Sequence, residues 1–214
     1  MCRIVFSFIH GGQDMEKRSF KFLKETMSEH QLASFCRLIA MEFLRITNGH
    51  PRTFIGMTYW ISDECYYDCL KYAITHWLVT EAEVDRMEER AIYNQRKHAE
   101  TNASNTKKNY LQLRKERMLF EKECEEGMSD EKKISLAKKY VEKVKLSTFE
   151  LALREGIPYP VVSRSIETAI VKNLVNDKLL AKIEAKEWDR SKHKRETIER
   201  FLKYREERTK NSQQ

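Results

Sequence analysis

Apolar positions along this chain recur three and four residues apart between runs of charge. The pattern predicts helices nearly throughout. A first amphipathic helix is expected over about 28–47 and another over about 130–145. Long, strongly charged helices are expected over about 81–98 and about 177–208, with a further helix resuming from Leu111 to Cys124. The polar stretch from Ala99 to Asn109 holds no apolar residue larger than alanine and reads as a loop or frayed helix. Glu125-Glu126-Gly127-Met128-Ser129-Asp130 reads as the end of one helix and the N-cap of the next, which sets a domain boundary. The residues from about Lys210 are expected to be disordered.

The most informative segment runs from Ala152 to Ile166. A small residue, Ala152, precedes Gly156 by four positions, and the apolar residues Ile157, Val162 and Ile166 follow. Ala152 lets a second helix cross closely, Gly156 supplies the positive φ of a tight turn, and Val162 and Ile166 share one helix face. The second helix should start near Tyr159 with Pro160 in its first turn. This segment resembles the helix-turn-helix of phage repressors and Cro-like proteins, over about 20 residues of the second half, and Val162-Ser163-Arg164 resembles the start of a recognition helix.

The resemblance implies a DNA-binding protein whose second helix lies in the major groove. Tyr159, Ser163, Arg164 and Glu167 would then face outward, and Arg164 is the candidate for bidentate readout of guanine. Lys145, Lys172, Arg190, Lys192, Lys194 and Arg195 are the candidate phosphate contacts, which fix position and carry no sequence information. The implied function is a sequence-specific regulator of the kind a phage, plasmid or integrated element carries. It would act as a homodimer through Trp188, Ile198, Phe201 and Leu202 or through the aromatic first half. Two alternatives stand beside it. One is a nucleoprotein-assembly component, such as a small terminase subunit or a replication accessory protein. The other is a helical protein-interaction module that binds no DNA.

A second pattern is an internal repeat. Ala73 to Val79 aligns with Ala169 to Val175, Arg86-Met87-Glu88 with Lys182-Ile183-Glu184, and Tyr110 to Arg117 with Phe201 to Arg208. Met27-Ser28-Glu29 and Met128-Ser129-Asp130 open the two copies. The register lays Gly56, Ile61, Tyr66 and Leu70 on Ala152, Ile157, Val162 and Ile166, and sets Trp60 opposite Gly156, so the turn glycine is absent from the first copy. Asp63, Glu64 and Asp68 make the first corner acidic, which suits a protein partner better than phosphate. The expected organisation is all-α. Residues 1–26 form a tail or short strand and helix start, 27–126 a first helical unit, 127–210 a second unit with the helix-turn-helix, and 211–214 a disordered tail.

Composition sharpens this picture. Six glycines and three prolines in 214 residues leave few turn formers for hairpins. The net charge of +7 lies entirely in one half: residues 129–214 hold 21 Lys and Arg against 14 Asp and Glu, while residues 1–128 hold 19 of each. A basic half attracts polyanions regardless of sequence. The five cysteines show no framework spacing and read as reduced thiols of a cytoplasmic protein, with Cys65 and Cys69 in a packed helix rather than a metal site. The opening stretch, residues 1–14, is too short to span a membrane. Glycine-rich phosphate loops, His-Glu-x-x-His and Cys-x-x-Cys are all absent from the sequence, so neither catalysis nor a cofactor is expected.

Overall fold

A computed structural model describes residues 16–46, 51–96, 100–143, 146–191 and 194–212, with side chains described outside 95–103, 194 and 212. The architecture is all-α. Among the described residues there are eleven helices and one isolated β-bridge, between Arg18 and Ile61. No described helix is long and apolar enough to cross a membrane. The helices are α1 (Phe20–Thr26), α2 (Glu29–Arg45), α3 (Pro51–Tyr59), α4 (Asp63–Thr75), α5 (Glu81–Arg96), α6 (Glu100–Glu126), α7 (Asp130–Glu142), α8 (Thr148–Glu155), α9 (Tyr159–Val171), α10 (Asp177–Arg190) and α11 (Lys194–Ser212).

Local chemistry sets most of the starts. Ser28 and Ser147 close capping boxes with Gln31 and Glu150, while Ser62, Ser129 and Asn176 accept from the backbone N–H three residues on. Three boundaries differ from expectation. Residues 100–109, expected as a loop or frayed helix, belong to the continuous helix α6, because Thr106 and Tyr110 are buried and this packing outweighs the weak propensity of Asn, Thr and Ser. The charged helix expected over 177–208 is two helices, broken at Ser191, whose backbone is extended and whose hydroxyl accepts from Thr197. The chain end that should have been disordered carries α11 to Ser212.

Among the described residues two hydrophobic cores form. The first gathers Leu32, Cys36, Ile39, Ile55, Ile61, Cys65, Cys69, Ile74, Val84 and Met87; the second gathers Leu136, Tyr140, Leu151, Val162, Ile166, Ile170, Leu180 and Ile183. Cys36, Cys65 and Cys69 are buried free thiols, and hydrogen bonds among them, with burial after, push the thiols of Cys65 and Cys69 up.

A set of interactions occurs in both halves. The Ile61 N–H donates to the Gly56 carbonyl and the Ile157 N–H to that of Ala152, 96 positions on. Leu78 to Ala73 and Leu174 to Ala169 repeat at the same spacing. Left-handed backbone occurs at Trp60 (φ 52°) and Gly156 (φ 64°), and again at Trp77 (φ 58°) and Asn173 (φ 61°). Arg90 donates to the Leu44 carbonyl as Lys186 does to that of Tyr140. Arg114 pairs with Glu88 and Arg205 with Glu184, each at 2.6 Å. Ile39, Ala40 and Phe43 occupy one core as Leu136, Ala137 and Tyr140 occupy the other. The core positions of α2 and α7 thus match one turn away from the register that aligns their N-caps.

Candidate nucleic-acid interface

Helix α8 is short and sharply amphipathic. Its capped first turn is anchored by Leu151 and Ala152, and it stops where Gly156 turns left-handed and the Ile157 N–H reaches back to the Ala152 carbonyl. Pro158 occupies the N-cap of α9, and Pro160 stands in the first turn, where its missing N–H goes unneeded. Val162 and Ile166 then bury in the second core. The corner is a three-residue turn between two helices, with Ala152 buried, Gly156 left-handed and Val162 and Ile166 in the core beneath it.

The candidate reading residues divide. Ser163 is exposed, as is Glu167, whose carboxylate accepts from the Tyr204 hydroxyl. Burial, and then this bond, hold the Tyr204 phenol above its ordinary pKa. Tyr159 does not face outward. It is half-buried, edge-on to Trp77 at 5.5 Å and tilted against Phe149 at 5.9 Å, because its ring fills the gap between α9 and the turn after α4. Arg164 remains 44% exposed on its side chain, yet its guanidinium is engaged. Nε and Nη2 each lie 2.9 Å from a carboxylate oxygen of Glu125, and Nη2 lies 2.7 Å from Glu121. These bonds, Glu125 first, raise the pKa of Arg164.

The candidate phosphate contacts scatter. Lys172 is exposed just beyond α9. Arg190 instead caps the Leu146 carbonyl at 2.7 Å, and Arg195 pairs with Glu199 at a fully wetted site on α11. Lys145, Lys192 and the side chain of Lys194 lie outside the described residues. Of the residues offered for a dimer contact, Trp188, Ile198 and Leu202 are exposed, whereas Phe201 belongs to the second core at 7% exposure.

The distance along the chain hid the partners of this face. Glu121 and Glu125 stand one helical turn apart on α6, and that i,i+4 acidic pair is the sequence signal that could have flagged them. Beneath them Arg117 is 1% exposed. Its guanidinium carbon lies 3.5 Å from the centre of the Trp77 ring, and it donates to the Val79 and Ile74 carbonyls at 2.9 and 3.3 Å. Trp77 in turn donates to the Arg117 carbonyl at 3.2 Å. Arg37 caps the Leu78 carbonyl and stacks on Phe149 at 4.5 Å, while Leu153 packs against the first core. The α8–α9 corner is therefore seated on α2, α6 and the turn after α4. A cleft of about 280 Å³ opens along this seam, lined by Glu29, His76, Trp77 and the 152–157 segment.

Comparison with known proteins gives no further guidance: no family model, no curated protein and no solved structure matches this chain.

Proposed function

We propose that this protein binds double-stranded DNA with the outer face of α9, as a sequence-specific transcriptional regulator of the kind mobile elements carry. The observation that carries this reading is the α8–α9 corner: a three-residue turn with Gly156 left-handed, an apolar seam beneath, and Ser163, Arg164 and Glu167 at the surface of the basic half. Arg164 is the base-reading residue, Ser163 a base or phosphate contact, and Lys172 a phosphate contact. Tyr159 acts as a positioning residue that fixes the angle of α9 through Trp77.

The pairing of Arg164 with α6 is compatible with this role on energetic grounds. The Arg164–Glu125 pair is about half exposed on both sides, at 44% and 51%, and such a pair is worth roughly 0–1 kcal/mol. Glu121 is more buried, at 18% exposure, and a bidentate arginine–guanine contact contributes about 1–3 kcal/mol of discrimination. DNA can therefore take Arg164 from Glu121 and Glu125.

Selection from a randomised duplex pool by the full chain tests the reading. Enrichment of a defined site, with affinity falling steeply as salt rises, is expected. A second reading, a helical interaction module, draws on one observation: Leu153 and Tyr159 already make the corner a protein-docking face. Failure of any duplex to be retained at low salt would favour it.

A further inference from the structure

The contact by which α8–α9 sits on the first core is itself a template, because the first half carries a similar corner, bridged at its turn by Arg18 and exposed on its outer face at Met57. Helices α3 and α4 meet at Trp60 with the backbone bond and left-handed φ found at Gly156. The docking residues of α8–α9 have counterparts 96 positions earlier: Leu153 falls on Met57 and Arg164 on Asp68. Met57 is 67% exposed, flanked by the exposed rings of Phe54 and Tyr67, with Asp63, Glu64 and Asp68 around them. That is an apolar patch whose rim is mainly acidic, with Arg52 paired to Asp63 at 3.4 Å.

The surface that receives α8–α9 also has a counterpart. In the first half it comprises the Trp77–Leu78 turn, α2 and the far end of α6, where Glu121 and Glu125 meet Arg164. In the second half the corresponding surface is the 172–174 turn, α7 and the far end of α11. Asn211 ties that helix end to the turn by donating to the Val171 carbonyl at 2.9 Å. Ile134 and Leu174 are half-buried there, and Lys138, Lys172 and Lys210 are exposed. The signs are reversed relative to the internal contact. Inside the chain Arg164 meets the acidic end of α6; the exposed α3–α4 corner is mainly acidic, and Lys138, Lys172 and Lys210 give the other surface its positive charge, beside Asp130 at the start of α7. Two acidic corners brought face to face would repel, which disfavours a symmetric dimer through this patch.

We infer that the α3–α4 corner of one copy docks on α7, the 172–174 turn and the end of α11 of a second copy, so that copies stack head to tail and repeat the internal contact between the two cores. Such an interface is heterologous, and it extends until it closes or runs out of copies. This inference does not require the DNA reading, although Lys172, a phosphate contact there, lies on the receiving surface here.

Sedimentation analysis of the full chain over a concentration series tests it, with far-UV circular dichroism confirming that each variant is folded. The wild type should pass beyond twice its 25.6 kDa mass as concentration rises, and do so less at high salt. Met57→Glu blocks the corner and should sediment as a monomer. Lys172→Glu combined with Lys210→Glu blocks the receiving surface and should do the same. An equal mixture of the two should form a one-to-one dimer and nothing larger, since only one productive corner and one productive surface remain. A wild type that stays at 25.6 kDa would overturn the inference. So would assembly indifferent to Met57→Glu, or a mixture that stays monomeric.

Discussion

Arg164 and Glu125 lie 39 residues apart in sequence and meet through two parallel bonds of 2.9 Å, from Nε and Nη2 to the two carboxylate oxygens. This fork is the geometry by which arginine also grips guanine or phosphate. The proposed reading residue is thus engaged by a carboxylate that DNA would have to displace.

Neutralising that carboxylate should strengthen DNA binding. Glu121→Gln with Glu125→Gln removes both ion pairs of Arg164 and two negative charges beside α9. Duplex affinity measured by fluorescence anisotropy is expected to rise roughly two- to tenfold, the equivalent of one or two exposed pairs, with melting temperature little changed. Unchanged or weaker affinity would mean that α6 does not compete with DNA for Arg164.

The turn at Gly156 makes a stability prediction. A Cβ there would meet only ordinary contacts, the nearest being a Glu29 oxygen at 3.4 Å, so the cost of Gly156→Ala is the backbone's alone. At φ 64° that cost is about 1–2 kcal/mol, visible in a denaturant melt. A loss well above this would show that the site is sterically tight.

Arg117 predicts a larger effect. It is a buried cation that satisfies the Ile74 and Val79 carbonyls at the end of α4 and stacks on Trp77. Arg117→Ala should destabilise the chain by about 3 kcal/mol, and Arg117→Lys should recover little, because an ammonium cannot stack flat while serving two carbonyls. Full rescue by lysine would reduce its role to charge alone.

His76 sets a pH dependence. Its ring stacks on Tyr72 at 3.8 Å and lies 4.7 Å from Phe120, and burial is the largest cause lowering its pKa below 6.5. A histidine kept neutral by the fold contributes stability that is full above its unfolded value. That stability is lost as pH falls from about 6.5 toward the lower folded value, because the unfolded chain binds the proton first. Melting temperature should fall between pH 7.5 and pH 5.5, and His76→Phe should flatten that slope. The ion-paired carboxylate of Glu155, whose pKa is lowered by Lys139 and Lys132 against its desolvation, acts only below its ordinary 4.5, so the two windows separate.

What could be read in advance was what is local. Ala152, Gly156, Pro160, Val162 and Ile166 act within one turn and its two helices, and their spacing carries that geometry on its face. Tyr159 and Arg164 sit on the same corner, yet their partners Trp77, Glu121 and Glu125 are 39 to 82 positions away, and nothing in the spacing announces those contacts. Trp60 is the counterexample to reading turns from glycine alone: its φ of 52° shows that surrounding structure can hold a bulky residue left-handed. The break at Ser191 was hidden because both flanking helices are charged, so the pattern runs through it without a glycine or proline.

The central claim, that Arg164 reads a base, is tested most directly by titrating wild type and Arg164→Ala against a selected duplex and its single-base-pair variants at fixed salt. The account predicts that Arg164→Ala loses roughly 1–3 kcal/mol on the selected duplex and ceases to discriminate at one base pair, while preferences elsewhere persist. Equal weakening on every variant would make Arg164 a phosphate contact, and no loss at all would remove α9 from the interface.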